Sequence, residues 1–224
     1  MGVLLMLMTI GGLLVAAILL VVAWINGSAW LGKFVIGGVA IWFAFYTTML
    51  FSFSLFSTEK TLAFNEPKEY CGFYLDCHMH TAVTAVRRTD KLGDRRATGE
   101  FYIVTVKVFS NAKRATLGLL TVDAHVVDAG GRTYSRDTLA ETELPPQPEF
   151  DKKVSPGESF EKEIVFDLPV DVQNPRLDMR EGYGIDHVIE AVLVNDEDSF
   201  LHKRNYFALD GTQTLSSAMS AKHE

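Results

Sequence analysis

Apolar residues follow two unlike rhythms along this chain. From Val3 to Ile25 no residue is charged and nearly all are Val, Leu, Met, Ile, Ala or Gly, with no polar face at any period. A second uncharged run extends from Phe34 to Phe56. Each is 23 residues long, and about 20 apolar residues cover the hydrocarbon core of a bilayer. Between them lies Asn26-Gly27-Ser28-Ala29-Trp30-Leu31-Gly32-Lys33, a short connection with helix breakers. Trp24 and Trp30 flank it, where amphipathic indoles prefer the headgroup region. The pattern predicts two antiparallel transmembrane helices joined by a tight turn. Gly12 and Ala16, with Gly37 and Gly38 opposite, would allow close backbone approach.

Past residue 60 the rhythm changes to period two. In Phe101 to Phe109, Tyr102, Val104, Val106 and Val108 share one face, and Thr105 and Lys107 the other. The run Leu117 to Val127 ends at Asp128-Ala-Gly-Gly131, a hairpin signal that returns through Arg132 to Ser135. Ser159 to Leu168 sets Phe160, Ile164, Phe166 and Leu168 on one side, between the Pro156-Gly157 turn and Pro169. Leu75 to Val86, Ile185 to Val194 and Phe200 to Leu209 read as further strands, and no segment here repeats at helical period. Residues 136–158, with Pro145-Pro146-Gln-Pro148, read as a long surface excursion. About seven or eight strands with frequent turn signals predict an all-β antiparallel sandwich of immunoglobulin-like architecture. The expected organisation is a transmembrane hairpin over 1–58, a β-sandwich over 59–210 and a flexible tail over 211–224.

Charge sharpens the division. The net charge of the 224 residues is −7, yet residues 1–58 hold a single charged side chain, Lys33. The remainder therefore carries −8. An acidic domain repels phosphate, which disfavours nucleic acid as a partner. The first run lacks a basic leading segment and exceeds a typical signal-peptide core, so it reads as a retained anchor. Neither span contains Asp, Glu, Arg or His, the usual marks of an ion or proton path, so the hairpin reads as an anchor. Lys33 in the connection and the mixed charges after Phe56 place the turn in the cytoplasm and the β domain outside.

The order of pieces carries a resemblance. Gly99-Glu-Phe-Tyr-Ile-Val-Thr-Val-Lys-Val-Phe-Ser-Asn111 is followed by Val127-Asp128-Ala-Gly-Gly-Arg-Thr-Tyr134, then Ser155-Pro-Gly-Glu-Ser-Phe and Val165-Phe-Asp-Leu-Pro169. Over roughly residues 70–200 this resembles a widespread family of bacterial exported or membrane-anchored domains of unknown function, similar to the secreted immunogenic sandwich proteins of mycobacteria. The resemblance implies an extracytoplasmic immunoglobulin-like sandwich with no established catalytic residues. The two-helix anchor and the Cys71–His80 segment depart from the family's usual form.

Chemistry-bearing residues concentrate in that segment. Cys71 and Cys77, the only cysteines, precede His78 and His80. A short-loop disulfide suits an exported domain. Reduced structural cysteines suit a cytoplasmic one. A copper or zinc site from Cys71, Cys77, His78 and His80 is the third reading, but on a strand Cys77 faces away from both histidines. The plan of two helices and a β domain also resembles the copper subunit of haem-copper oxidases, whose C-terminal copper motif has no counterpart here. Arg87, Arg88, Lys91, Arg95 and Arg96 form a basic hairpin region that could meet anionic lipid headgroups. No nucleophile elbow, phosphate loop, dinucleotide fingerprint or His-Glu-x-x-His motif occurs. The sequence reads as no enzyme and calls for no cofactor. Its expected partners are the lipid bilayer and another envelope or membrane protein. A metal or redox protein and an accessory subunit of a membrane complex are the alternatives.

Overall fold

A computed structural model describes residues 2–70 and 77–210. In chain order the elements are α1 (Gly2–Ile25), α2 (Ala29–Phe56), β1 (Lys60–Leu62), β2 (Lys68–Tyr70), β3 (Met79–Leu92), β4 (Arg95–Ser110), β5 (Val122–Val127), β6 (Thr133–Ser135), α3 (Thr138–Glu141), β7 (Ser159–Leu168), β8 (Arg176–Glu181), α4 (Gly184–Glu190) and β9 (Asn205–Ala208). They form two units, Met1–Glu59 with Gly184–Arg204, and Lys60–Tyr183 with Asn205–Glu224.

In the first unit, α1 and α2 are long and apolar enough to cross a membrane. At about 1.5 Å per residue they measure roughly 36 and 42 Å. The chain reverses at Gly27, whose φ of 63° suits glycine, and α2 begins at once, so Lys33 lies in its first turns. Trp42 Nε1 donates to Thr9 Oγ1 at 3.0 Å, a bond between the two helices. A Cβ added at Gly12, Gly37 or Gly38 would meet no atom within 4 Å. These glycines therefore do not serve close backbone contact; a polar bond joins the helices instead.

The second unit is a two-sheet sandwich. One sheet has the order β1-β9-β8-β5-β6, the other β2-β3-β4-β7. All strand pairs are antiparallel except β1 with β9, which run parallel with Lys60 opposite Asn205. No hairpin links these two strands, so nothing local imposes the antiparallel sense. Between the sheets, Tyr102, Val104, Val106 and Val108 of β4 and Phe160, Ile164, Phe166 and Leu168 of β7 pack against Val126, Leu177, Met179 and Phe207.

Several expected elements differ. The strand expected over Ile185 to Val194 is helical at α4, and the one over Phe200 to Leu209 shortens to β9. Both lie in or beside the excursion 184–204, where the Phe200 amide donates to the Ala191 carbonyl and Tyr46 of α2 donates to the Val192 carbonyl. The strand after Leu117 starts only at Val122, while Leu117 bridges Val154. Residues 136–158 are no mere surface excursion. Ala140 and Leu144 cover Phe101, Ile103 and Val165 in a second apolar cluster, which explains why both faces of β4 are buried there. Asp137 Oδ1 caps α3 by accepting from the Ala140 amide at 2.8 Å.

Candidate functional site

The residues singled out from sequence divide among separate places. Cys77 carries no free thiol. Its candidate partner Cys71 lies outside the described residues, as does the tail 211–224. His78 Nδ1 lies 2.7 Å from Asn111 Oδ1, while the Asn111 amide donates to the His78 carbonyl at 3.1 Å. Met79 enters the sandwich core. His80 takes the other face of β3 and stacks on Phe109, its register partner, with ring centroids 5.2 Å apart. Neither ring nitrogen of His80 has a hydrogen-bond partner among the described residues. His78 and His80 thus serve an asparagine contact and an aromatic stack.

The basic hairpin is split by its own register. Antiparallel pairing sets Arg87 beside Ile103 and Arg88 beside Tyr102, on opposite faces of the sheet. Arg87 lies 3.7 Å from Glu163. Arg88 lies 3.0 Å from Asp210, with its guanidinium over the Tyr102 ring. Lys91 faces Arg96, and Arg95 faces Leu92. Among the described residues, carboxylates meet Arg87 and Arg88, and the five charges share no single face.

Three polar arrangements emerge; the sequence marked the Asp128 turn as a hairpin signal but neither of the other two clusters. The first is a buried ionic network in the sandwich. Asp178 of β8 is 1% exposed and lies 3.3 Å from His125 Nε2, its register partner on β5, and 3.4 Å from Arg180 Nε. Burial pushes the Asp178 carboxyl up. The His125 hydrogen bond and the charges of Lys68, Arg180 and His125 outweigh it and hold the carboxyl below its ordinary value. Lys68, also buried, donates from β2 to the Met179 carbonyl at 2.9 Å and reaches Asn205 O at 3.4 Å, joining one sheet to the other. A lone Asp between Leu177 and Met179 was the only signal in the sequence.

The second is the Asp128 turn. Its carboxylate accepts from the amides of Gly130 and Arg132 at 2.8 and 2.9 Å, from Arg132 Nε at 2.6 Å and from the Tyr134 hydroxyl at 3.1 Å. Burial raises this carboxyl, but bonds from Arg132 and Tyr134 leave it lowered overall. Asp128 organises its hairpin and is filled by the chain's own donors.

The third lies in the first unit. His187, Glu190 and Asp198 place one donor atom each within 4.8 Å of one another. One imidazole and two carboxylates form a set that zinc or manganese accepts. His187 Nδ1 lies 3.0 Å from Glu190 Oε2, and Arg204 Nε lies 3.4 Å from Asp198 Oδ1. The Arg204 guanidinium thus already opposes part of this charge. Glu190 is raised by burial and then by Asp196 and Asp198, with His187 opposing. Asp196 is raised by burial and then by Asp198 and Glu197.

The sandwich also has an open groove of about 500 Å³ beside the loops 118–122 and 149–153. Exposed Leu120 and Tyr183 and the charged Arg136 and Glu149 line it. Its lining mixes apolar surface with a few polar groups.

The family described as a domain of unknown function, DUF4352, matches residues 76–188. Among solved structures, the chain is similar to MPT63, a secreted protein from Mycobacterium tuberculosis, at 13% identity and a TM-score of 0.40, over 57% of this chain and 92% of that one. A conserved hypothetical protein from Bacillus anthracis is similar at 16% identity and a TM-score of 0.37, over 51% and 89%. An uncharacterised β-sandwich protein from Clostridium difficile is similar at 12% identity and a TM-score of 0.34, over 68% and 95%. No curated protein matches.

Proposed function

The chain belongs to the DUF4352 family, and on that premise we propose that it is a membrane-anchored, extracytoplasmic β-sandwich that binds or scaffolds another envelope component. It sits in the bacterial inner or plasma membrane as a two-span protein and does no covalent chemistry. The observation that carries this reading is the hairpin of α1 and α2, bonded through Trp42 and Thr9 and free of charge except for Lys33 near the turn. Such a hairpin holds a domain at a membrane and offers no path for ions. The groove by Leu120, Arg136 and Tyr183 is the contact face, and the bilayer is the first partner.

A disulfide between Cys71 and Cys77 belongs to the same proposal. The closed loop is short, so its chain-entropy gain stands near the low end, about 2 kcal/mol.

Labelling of intact cells with a membrane-impermeant maleimide tests both parts. Labelling only after an impermeant reductant is expected. Labelling only after permeabilisation overturns the extracytoplasmic placement, and labelling without reductant overturns the disulfide.

A further inference from the structure

The excursion Gly184–Arg204, inserted in sequence between two neighbouring strands of one sheet, clusters with the apolar hairpin. Four contacts hold it there. The Tyr46 hydroxyl of α2 donates to the Val192 carbonyl at 2.6 Å. Phe51 of α2 meets Phe200 edge to face, 6.2 Å between centroids. The Lys203 amide donates to Ser57 Oγ at 2.8 Å. At the start of α1, a Cβ on Gly2 would come within 2.5 Å of the Val194 carbonyl, so backbone meets backbone there.

The depth of these contacts follows from helix geometry. Trp30, 74% exposed, marks one headgroup level at the turn end of α2. Phe51 is 21 residues further on, about 31 Å at 1.5 Å per residue, which matches a hydrocarbon thickness of about 30 Å. Phe200 therefore lies at the opposite boundary. Tyr46 is about 24 Å from Trp30 on the same scale, so the Val192 carbonyl sits some 6 Å inside that boundary. A carbonyl at this depth needs a protein donor, and Tyr46 supplies one. Beside these contacts Ile185, Val188, Phe200 and Leu201 are exposed in the protein alone, Val188 at 69%.

We propose that residues 184–204 form a second membrane-binding element, lying in the outer headgroup–acyl boundary with Ile185, Val188, Phe200 and Leu201 in contact with lipid. The occupant of this surface is the bilayer, because the segment is continuous with the hairpin at the height where α2 leaves the hydrocarbon. A helix carrying apolar residues on one side and buried 5–10 Å is the known form of such elements. The proposal rests on the anchor reading above.

The full-length chain in phosphatidylcholine nanodiscs tests it. A nitroxide is coupled through a genetically introduced ketone side chain at position 188 or 200, with position 15 of α1 and position 131 of the sandwich as references. Collision with oxygen is compared with collision with a water-soluble nickel chelate. At 188 and 200 an oxygen-to-nickel ratio at least fivefold above that at 131 is expected. A ratio equal to that at 131 overturns the proposal while leaving the anchor intact if position 15 still excludes nickel. Exclusion of both reagents at 188 and 200 overturns it in favour of a protein partner. Nickel access at position 15 overturns the anchor reading and this one with it.

Discussion

The side chain of Gln147 closes the backbone of Glu163 on both sides, donating to its carbonyl at 2.7 Å and accepting from its amide at 2.8 Å. Glu163 lies on β7, an edge strand, and the amide of Gln147 takes the place of a missing neighbour strand. Two residues on, the Val165 amide donates to Glu141 Oε1 at 3.1 Å and its carbonyl accepts from the Asp137 amide at 2.8 Å. The loop 136–158 thus protects an edge that would otherwise invite pairing with another chain.

Replacing Gln147→Ala opens both groups of Glu163. With each of the two net hydrogen bonds contributing about 0.5–1.5 kcal/mol, a loss of about 1–3 kcal/mol is expected in denaturant titration. An unchanged midpoint would show that water replaces the amide at no cost.

Asp178→Asn should be the more damaging change. It removes the anion that faces His125, Arg180 and the buried Lys68, and breaking a buried pair from one side costs about 3–5 kcal/mol. Lys68→Met keeps the apolar length of the side chain but removes the link to the Met179 carbonyl, and a smaller loss is expected. Thermal unfolding of both variants ranks them, and equal losses would show that the network acts through Lys68 alone.

The two units respond to acid with opposite sign. Asp178 and Asp128 are lowered in the folded state. Their stabilisation is present above the unfolded carboxylate value, about 3.9, and is lost as pH falls through the lower folded values. Glu190 and Asp196 are raised. Their folded forms prefer the proton, so the excursion 184–204 tightens as pH falls through those raised values towards about 4. Amide exchange at pH 7 and pH 4 should show greater protection of 184–204 at pH 4, after correction for intrinsic exchange rates. Protection that falls on acidification would contradict the direction.

Two glycines should answer oppositely to alanine. A Cβ at Gly99 would overlap the Leu168 carbonyl, while the Thr98 and Gly99 amides are gripped by Asp167 at 2.7 and 2.9 Å. Gly99→Ala forces the two strands apart, at about 1–3 kcal/mol for overpacking. Gly38→Ala meets open space and should leave the hairpin undisturbed. Melting temperatures of the two variants in one detergent check the contrast.

Much of this architecture was legible in the chain because it depends on local pattern. An uncharged run of 23 residues needs lipid or a core around it, so two long apolar helices stand in the sequence itself. Strand β7 runs from Ser159 to Leu168 as its alternation and flanking Pro-Gly and Pro predict. The inward face of β4 follows from period two. The candidate chemistry was less legible. Met79 and His80 are neighbours in sequence, but the pleat of β3 sends one into the sandwich core and the other onto Phe109 on the opposite face.

What only the tertiary structure decided are the relations between distant residues. The parallel pairing of β1 with β9, the bond from Lys68 to the Met179 carbonyl, and the packing of 184–204 on Tyr46 and Phe51 join residues more than a hundred positions apart. The apolar residues of Ile185 to Val194 suit a strand or a short helix equally well. A run that short carries too little intrinsic preference to choose, and the choice fell to contacts with α1 and α2 rather than to its own order of residues.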